Sequence, residues 1–293
     1  MQIDQRLIGE LPFVRLFLSV DVVGSTALKY QDSNLKSPIE SWVRKIQEFY
    51  EKFVQELNVY YASKRIKPPD LWKYLGDELI FEVKLNSWTE ARKHLLAFKE
   101  TVIKRSTAEL PLKATAWAAG FPVRNALYQN SQNALTDYIG PEMDKGFRIS
   151  QYASPYRFVI AADLAYGLLS HRSFLNQRWH YHGRFPLNGV REISGYPIIS
   201  LELQPDPISD AEETLLGEAV TGKKIRTFLQ QFVKEAQSTI ELAIIDDPSD
   251  HPDPKYEEQF NKAMVAYRDR ASQDAGESET PNLSIPDPML SPR

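Results

Sequence analysis

Two aspartates stand where short apolar segments end. Asp21 closes the run Val14–Asp21 within VRLFLSVDVVGST, and Asp77 sits in Gly76-Asp77-Glu78 between the two apolar halves of LWKYLGDELIFEV. The first segment reads as a buried strand that delivers Asp21 into a polar Gly-Ser-Thr turn. The second reads as a hairpin with Asp77 at its tip. Taken singly, each is more often an ordinary turn acid, because Gly-Asp is a common turn dipeptide. As a pair they are less ordinary. An acid at a strand end is aimed from a rigid element into a cleft, and two such acids can hold a pair of hard cations. Two metals about 3.5–4 Å apart suit phosphoryl transfer.

Three further residues extend the pattern. Lys73 lies four positions before Asp77 and reads either as a solvated strand lysine or as a polar reader of a base edge. Strand alternation would put it on the face of Leu71 and Leu75, with Trp72 and Tyr74 opposite. In TDYIGPEMDKGFRIS, Asp137 precedes Gly140 by three, and Asp144 and Arg148 are four apart on one helical face. The plain meaning of the last two is an ion pair of about 0.3–0.5 kcal/mol. The functional meaning is an arginine for phosphate charge beside a polar partner.

These residues need elements to position them. Phe13–Val23 reads as a strand. Ser37–Ser63 carries Ile39, Trp42, Val43, Ile46, Phe49, Tyr50, Phe53, Val54 and Leu57 at steps of three and four, a long amphipathic helix. The hairpin Leu71–Val83 follows, then a helix over Ser87–Ser106 and a strand over Leu112–Gly120. A third helix is expected over Pro141–Ala153, with proline at its first turn. Arg157–Ala161 reads as a strand and Ala162–Leu169 as a short helix. Trp179–His182 and Tyr196–Leu203 read as the last strands. This order describes an α+β fold, one sheet with helices packed on it.

The character changes after Pro205. Ser209-Asp210-Ala211-Glu212 is a capping box that opens a helical region to about Ile244. DPSDHPDP (247–254) is a linker, and Tyr256–Arg270 is compatible with one more helix. The expected division is a folded domain over 1–204, a helical extension over 205–270 and a disordered tail over 271–293.

The 293 residues are 42% hydrophobic and 25% charged, enough to build a sizeable core. A net charge of −4 gives no general attraction to nucleic acid or to an anionic membrane. The absence of cysteine excludes disulfides and thiolate metal sites and fits a reducing cytoplasm. No apolar run reaches about 18 residues, so no membrane span is expected, and MQIDQRLIGELP lacks the charge order of a signal peptide.

Together these motifs resemble the class III nucleotidyl cyclases. VDVVGST matches a first metal aspartate between a strand and a small polar turn. Lys73-Tyr74-Leu75-Gly76-Asp77 matches a Lys-x-x-Gly-Asp hairpin. Asp137 and Gly140 match a base-contacting aspartate three residues before a glycine. Arg148 matches a transition-state arginine, while Asp144 stands where the family has asparagine. The resemblance covers about residues 10–204. It implies a ferredoxin-like, antiparallel-rich cyclase domain. Asp21 and Asp77 would hold two Mg²⁺ or Mn²⁺ ions, the backbone of Val22–Thr26, with Gly24, Ser25 and Thr26 at its centre, would cradle phosphates, Lys73 and Asp137 would read the base, and Arg148 would meet charge at the reacting phosphorus. It also implies a homodimer with two composite sites, the metal acids from one chain and Lys73, Asp137 and Arg148 from the other. Arg191 matches an outer-phosphate contact more loosely.

The chain is similar, within that family, to the stand-alone pyrimidine cyclases of bacterial antiphage Pycsar systems. This resemblance implies a cytoplasmic enzyme that makes cyclic UMP or cyclic CMP for a separate effector protein. UTP is the expected substrate, then CTP, then ATP. Tyr50 and Trp117 are candidates for bulky rings that shrink the base pocket, although by pattern alone both fit core packing. Adenylate or guanylate cyclase activity, a degenerate nucleotide-binding regulatory domain, a diguanylate cyclase and a two-metal phosphohydrolase remain alternatives. Asp144 is the residue that best favours the degenerate domain. LGDEL is the segment that resembles a diguanylate cyclase turn.

Overall fold

The computed structural model describes residues 13–31, 41–121, 125–129, 136–189, 195–206 and 220–235, with a few isolated positions beyond them. The fold is mixed α+β. Strand β1 (Phe13–Val22) is followed by helices α1 (Ser25–Gln31) and α2 (Ser41–Ser63), strands β2 (Asp70–Leu75) and β3 (Glu78–Leu85), and helix α3 (Trp88–Arg105). Next come β4 (Leu112–Phe121), a small pair β5 (Ala126–Gln129) and β6 (Thr136–Ile139), and helix α4 (Pro141–Ile149). The chain continues through β7 (Arg157–Ile160), α5 (Ala162–Leu168), α6 (Arg172–Leu175), β8 (Trp179–Phe185), β9 (Tyr196–Glu202) and α7 (Gly222–Glu235).

Seven strands form one sheet in the order β2-β3-β1-β4-β7-β9-β8. Only the β4–β7 pair is parallel. β1 lies inside the sheet because it is apolar on both faces. Its back face carries Leu16, Leu18 and Val20, level with Leu79 and Phe81 of β3 and Ala114, Ala116 and Ala118 of β4. Helices α2 and α3 cover this side. In α2, Ile46, Phe49, Phe53, Leu57 and Tyr61 are buried, the stripe that its spacing predicts. The rings of Phe53, Phe81 and Phe98 meet within 6.0 Å of one another. Burying each contributes about 1.5–3 kcal/mol. Ser87 caps α3 by accepting from the Glu90 N–H.

The front face carries Phe17, Ser19 and Asp21 in register with Trp117, Thr115 and Lys113 of β4. Helix α4 and strand β6 cover one end of it, through Phe147 on Trp117 and Tyr138 on Phe17. The end that carries Asp21 is left half-exposed.

The differences from the sequence reading have local causes. Helix Pro141–Ala153 ends its α portion at Ile149 and tightens into a 3₁₀ turn over Ser150–Tyr152. The Gly-Ser-Thr stretch is a turn only at Val23-Gly24, and Ser25 already opens α1. The β5–β6 pair had no apolar alternation to announce it. Within β2 the register shifts between Leu71 and Lys73, so Lys73 pairs with Ile80 but Leu71 with Phe81. That bulge breaks the simple alternation. Lys73 and Trp72 end on the same side, with the ammonium 4.3 Å from the Trp72 ring centroid. Helix α7 packs on β8, α5 and α6, with Ile225 and Leu229 buried and Phe228 against Tyr181. The helix start expected at 37–40, the linker 247–254, Arg191 and the tail 271–293 lie outside the described residues.

Candidate metal and nucleotide site

The site begins where three strands end together. Asp21 of β1 stands opposite Glu78 of β3 on one side and Lys113 of β4 on the other. Asp77 occupies the two-residue turn between β2 and β3, beside Gly76 at φ +66°, a conformation that favours glycine. This brings the carboxyls of Asp21 and Asp77 close enough for each to shift the other's protonation. Ser25, the first residue of α1, faces Asp77 and favours its ionised form.

Each acid has a lysine. Lys113 Nζ lies 2.9 Å from Asp21 Oδ2, and Lys29 Nζ lies 3.5 Å from Asp77 Oδ1. A third carboxylate, Glu78, accepts from the Ser19 hydroxyl. Burial is the largest influence on Asp21 and holds its carboxyl above the usual range, with Lys113 opposing and Asp77 adding to the rise. Burial also acts on Asp77. There the influence of Ser25 and Asp21 and the charge of Lys29 outweigh it, so Asp77 stays below the usual range. Glu78 is raised, chiefly by burial.

Two carboxylates close enough to share a proton repel each other once both ionise, and a cation between them removes that cost. The donor set is hard oxygen throughout: Asp21, Asp77 and the Ser25 hydroxyl. That chemistry fits Mg²⁺ or Mn²⁺. Among the described residues no group of three or more His, Cys, Asp or Glu side chains converges as a complete cage. A site with two carboxylates leaves its other positions to water and substrate phosphate, the usual way magnesium is held.

A second polar group lies on the same face. Lys73 Nζ is 2.7 Å from Asp137 Oδ1, and the Asp137 carboxylate also accepts from the Tyr138 N–H. The Trp72 indole donates to the Thr136 carbonyl at 2.8 Å and ties β2 to β6 beneath the pair. By strand spacing, Lys73 is about 12 Å from Asp21 along the sheet. Arg148 and Asp144 form a third group, on the outer side of α4. The Arg148 guanidinium lies beside Gly189, whose position would bring a Cβ to 3.3 Å from Nη2.

Tyr50 stands beside the acid pair. Its hydroxyl donates to the Gly76 carbonyl, and its ring meets Tyr74 edge-on at 5.1 Å. Trp117 does not line a pocket edge. It is 1% exposed, stacks on Phe17 at 5.4 Å and supports Gly146 of α4, where a Cβ would meet the indole at 2.3 Å. The expectation of a base-facing ring at that position is corrected to core packing. The cradle around Gly24, Ser25 and Thr26 is also narrower than expected, because the Val23 N–H donates to the Pro111 carbonyl at 2.8 Å. Lys113, Lys29 and Glu78 were not singled out from the sequence. Lys113 had a signal, since it is the one charged residue in the otherwise uncharged strand β4.

No family model matches the chain, and no curated protein matches it. Among solved structures, it is similar to the adenylyl cyclase CyaB from P. aeruginosa at 13% identity and a TM-score of 0.48, over 67% of this chain and 96% of that one. The catalytic core of a rhodopsin-guanylyl cyclase with converted specificity, in complex with ATPαS, has 13% identity and a TM-score of 0.45, over 65% and 95%. Adenylate cyclases from Trypanosoma brucei in their monomeric state reach 12% and 0.44, over 64% and 88%.

Proposed function

We propose that the protein is a nucleotidyl cyclase that converts a ribonucleoside triphosphate, with UTP preferred, to the 3′,5′-cyclic nucleotide and pyrophosphate. The observation that carries this reading is the placement of Asp21 at the end of β1 and Asp77 in the adjoining β2–β3 turn, each beside a lysine, on one half-open face that also holds the Lys73–Asp137 pair. When bound, the two divalent ions supply Lewis acidity to the ribose 3′-hydroxyl and the triphosphate. Asp21 and Asp77 hold them, and Ser25 fixes the direction of Asp77. Lys73 and Asp137 offer a donor and an acceptor to the edge of a base. Arg148 brings a fork of N–H donors to a phosphate. The 3′-oxygen bonds to the α-phosphorus, the bond from that phosphorus to the pyrophosphate oxygen breaks, and the hydroxyl proton passes to solvent.

In this reading, as the resemblance implies, the protein is a homodimer in which each site takes metal acids from one protomer and base and phosphate contacts from its partner. The preference for UTP rests on the resemblance to stand-alone pyrimidine cyclases and on Tyr50, whose ring beside Asp77 narrows the space next to the metal acids. In the same reading the enzyme is cytoplasmic and its cyclic product is an antiphage signal sensed by a separate effector. Among the described residues no helix is long and apolar enough to cross a membrane.

The test is incubation with Mn²⁺ and each of the four ribonucleoside triphosphates, with products identified by mass. Cyclic UMP, lost in Asp21→Ala and in Asp77→Ala, is the expected result. Cyclic AMP or GMP would keep the reaction and remove the base assignment. A second reading, a nucleotide-binding regulatory domain without turnover, is favoured by Asp144 in place of the family's asparagine. It predicts nucleotide binding with no product from any triphosphate.

A further inference from the structure

Tyr50 belongs to α2, a helix whose other inward residues serve the core. Phe49 and Phe53 beside it are 3% and 0% exposed. Tyr50 is the point where that rigid stripe reaches the turn that carries Asp77. Its hydroxyl donates to the Gly76 carbonyl across 26 residues of sequence. Its ring packs edge-on against Tyr74, the residue two positions before that glycine.

The turn itself is exposed. Tyr74 and Leu75 are 57% and 44% accessible, and nothing would obstruct a Cβ at Gly76. A glycine at positive φ in such a place has many conformations open to it. The Gly76 carbonyl is one end of the peptide plane that leads into Asp77. Holding that oxygen fixes the plane, and so the direction in which the Asp77 side chain leaves the backbone.

We infer that Tyr50 is a positioning residue for the metal acid: its hydroxyl anchors the Gly76–Asp77 turn to α2 and sets the geometry in which Asp77 meets a divalent cation. This rests on the reading of Asp77 as a metal-holding residue. It is separate from any role of the ring in base size, because the two roles reside in different atoms. The ring excludes a purine, and the oxygen orients the turn. Displacements of about 1 Å at such a group can cost on the order of 10²-fold in rate.

The test reads Mn²⁺ affinity directly, by electron paramagnetic resonance of the free ion, in the wild type, Tyr50→Phe, Tyr50→Ala and Asp77→Ala. Tyr50→Phe keeps the ring and its packing and removes one hydrogen bond. It is expected to weaken Mn²⁺ binding about five-fold, with an unchanged ratio of UTP to ATP turnover. Wild-type Mn²⁺ affinity in Tyr50→Phe, alongside lost affinity in Asp77→Ala, would overturn the anchoring role and leave the metal site standing. Undiminished affinity in Asp77→Ala would overturn both. A changed base ratio that appears only in Tyr50→Ala, with weakened Mn²⁺ binding already present in Tyr50→Phe, supports the division between oxygen and ring.

Discussion

Two charged clusters flank the same sheet and differ in their access to water. The first joins Asp21, Asp77 and Glu78 to Lys113 and Lys29, with side chains of the two aspartates 23% and 21% accessible. The second lies where α4 meets the start of α5. There Glu142 and Lys145 are each 4% accessible by side chain and 3.7 Å apart, Asp163 is 3% exposed, and Asn125 donates to Glu142. Both hold more acid than base. In the second, burial pushes the Asp163 carboxyl up, with Lys145 opposing. Its side chains are nearly closed to solvent, and Glu142 takes its contacts from Lys145 and Asn125. The first is open on one side and its acids crowd together, so an incoming cation improves it. Exposure, more than composition, separates an acid pair that can bind from one that fixes a helix in place. The buried cluster has its own consequence. α4 carries Asp144 and Arg148 outward and Glu142 and Lys145 inward, and few rotations of that helix satisfy both inner charges.

The largest effect that could break this contrast is on turnover. Asp21→Asn and Asp77→Asn keep shape and remove charge, and each is expected to lower product formation about 10³-fold and to abolish Mn²⁺ binding. Glu142→Gln, an acid lost from the buried cluster, should leave Mn²⁺ binding of the folded protein unchanged. Equal loss in all three would mean that the clusters do not differ in kind.

Stability should respond in the opposite sense. Lys145→Met removes one partner of a buried pair and leaves the other uncompensated, a loss of about 3–5 kcal/mol. Urea unfolding would register it as a lower midpoint with an unchanged slope. Lys113→Met, in the open cluster, should shift that midpoint little, since half-exposed pairs contribute about 0–1 kcal/mol.

One side of this contrast was legible in the sequence, the other was not, and the limits were physical. Asp21 and Asp77 were visible because each follows an apolar run, and an acid there interrupts a pattern. The order Lys73, Asp77, Asp137, Arg148 was also visible. That Lys73 touches Asp137, 64 residues away, was not, because the pairing depends on β6 folding back over β2. Trp117 shows a different limit. Alternation tells which face a strand residue takes, but not whether that face is covered, and α4 covers it here. Lys113 was passed over because the acid it faces lies on another strand, and strand pairing is not written in either segment alone. Glu142 and Lys145 were not singled out, since a charged pair three apart on a helix is ordinary on a surface; in the structure both side chains are buried as α4 packs on Trp117.

Acid titration separates burial from function in a second way. His94 is buried and His182 half-buried, and desolvation is the first cause holding both at about 4, against 6.5 for an exposed imidazole. The neutral ring is the folded form, so unfolding takes up a proton once the pH is below the unfolded value. Their contribution is complete above about pH 6.5 and declines as pH falls toward 4, by up to about 1.4 kcal/mol per pH unit for each histidine. Denaturant midpoints measured at pH 7, 6 and 5 should fall in that order, and His94→Gln with His182→Gln should flatten the decline. A flat profile in the wild type would mean that neither ring is held neutral.

The smallest effect tests the open cluster most finely. Lys113 is fixed on β4 directly across from Asp21, so it sits where positive charge would otherwise arrive from solution. Before any nucleotide is present it competes with a cation for the same oxygen. Removing it as Lys113→Met should tighten Mn²⁺ binding to the nucleotide-free protein about three- to five-fold, the equivalent of one half-exposed ion pair. The gain should shrink at high salt, because such a pair is screened. Weaker Mn²⁺ binding in Lys113→Met would mean that the lysine holds the Asp21 carboxylate in its binding geometry instead of competing for it. In that case the two clusters would share a principle after all, since each would use a lysine to set the position of an acid.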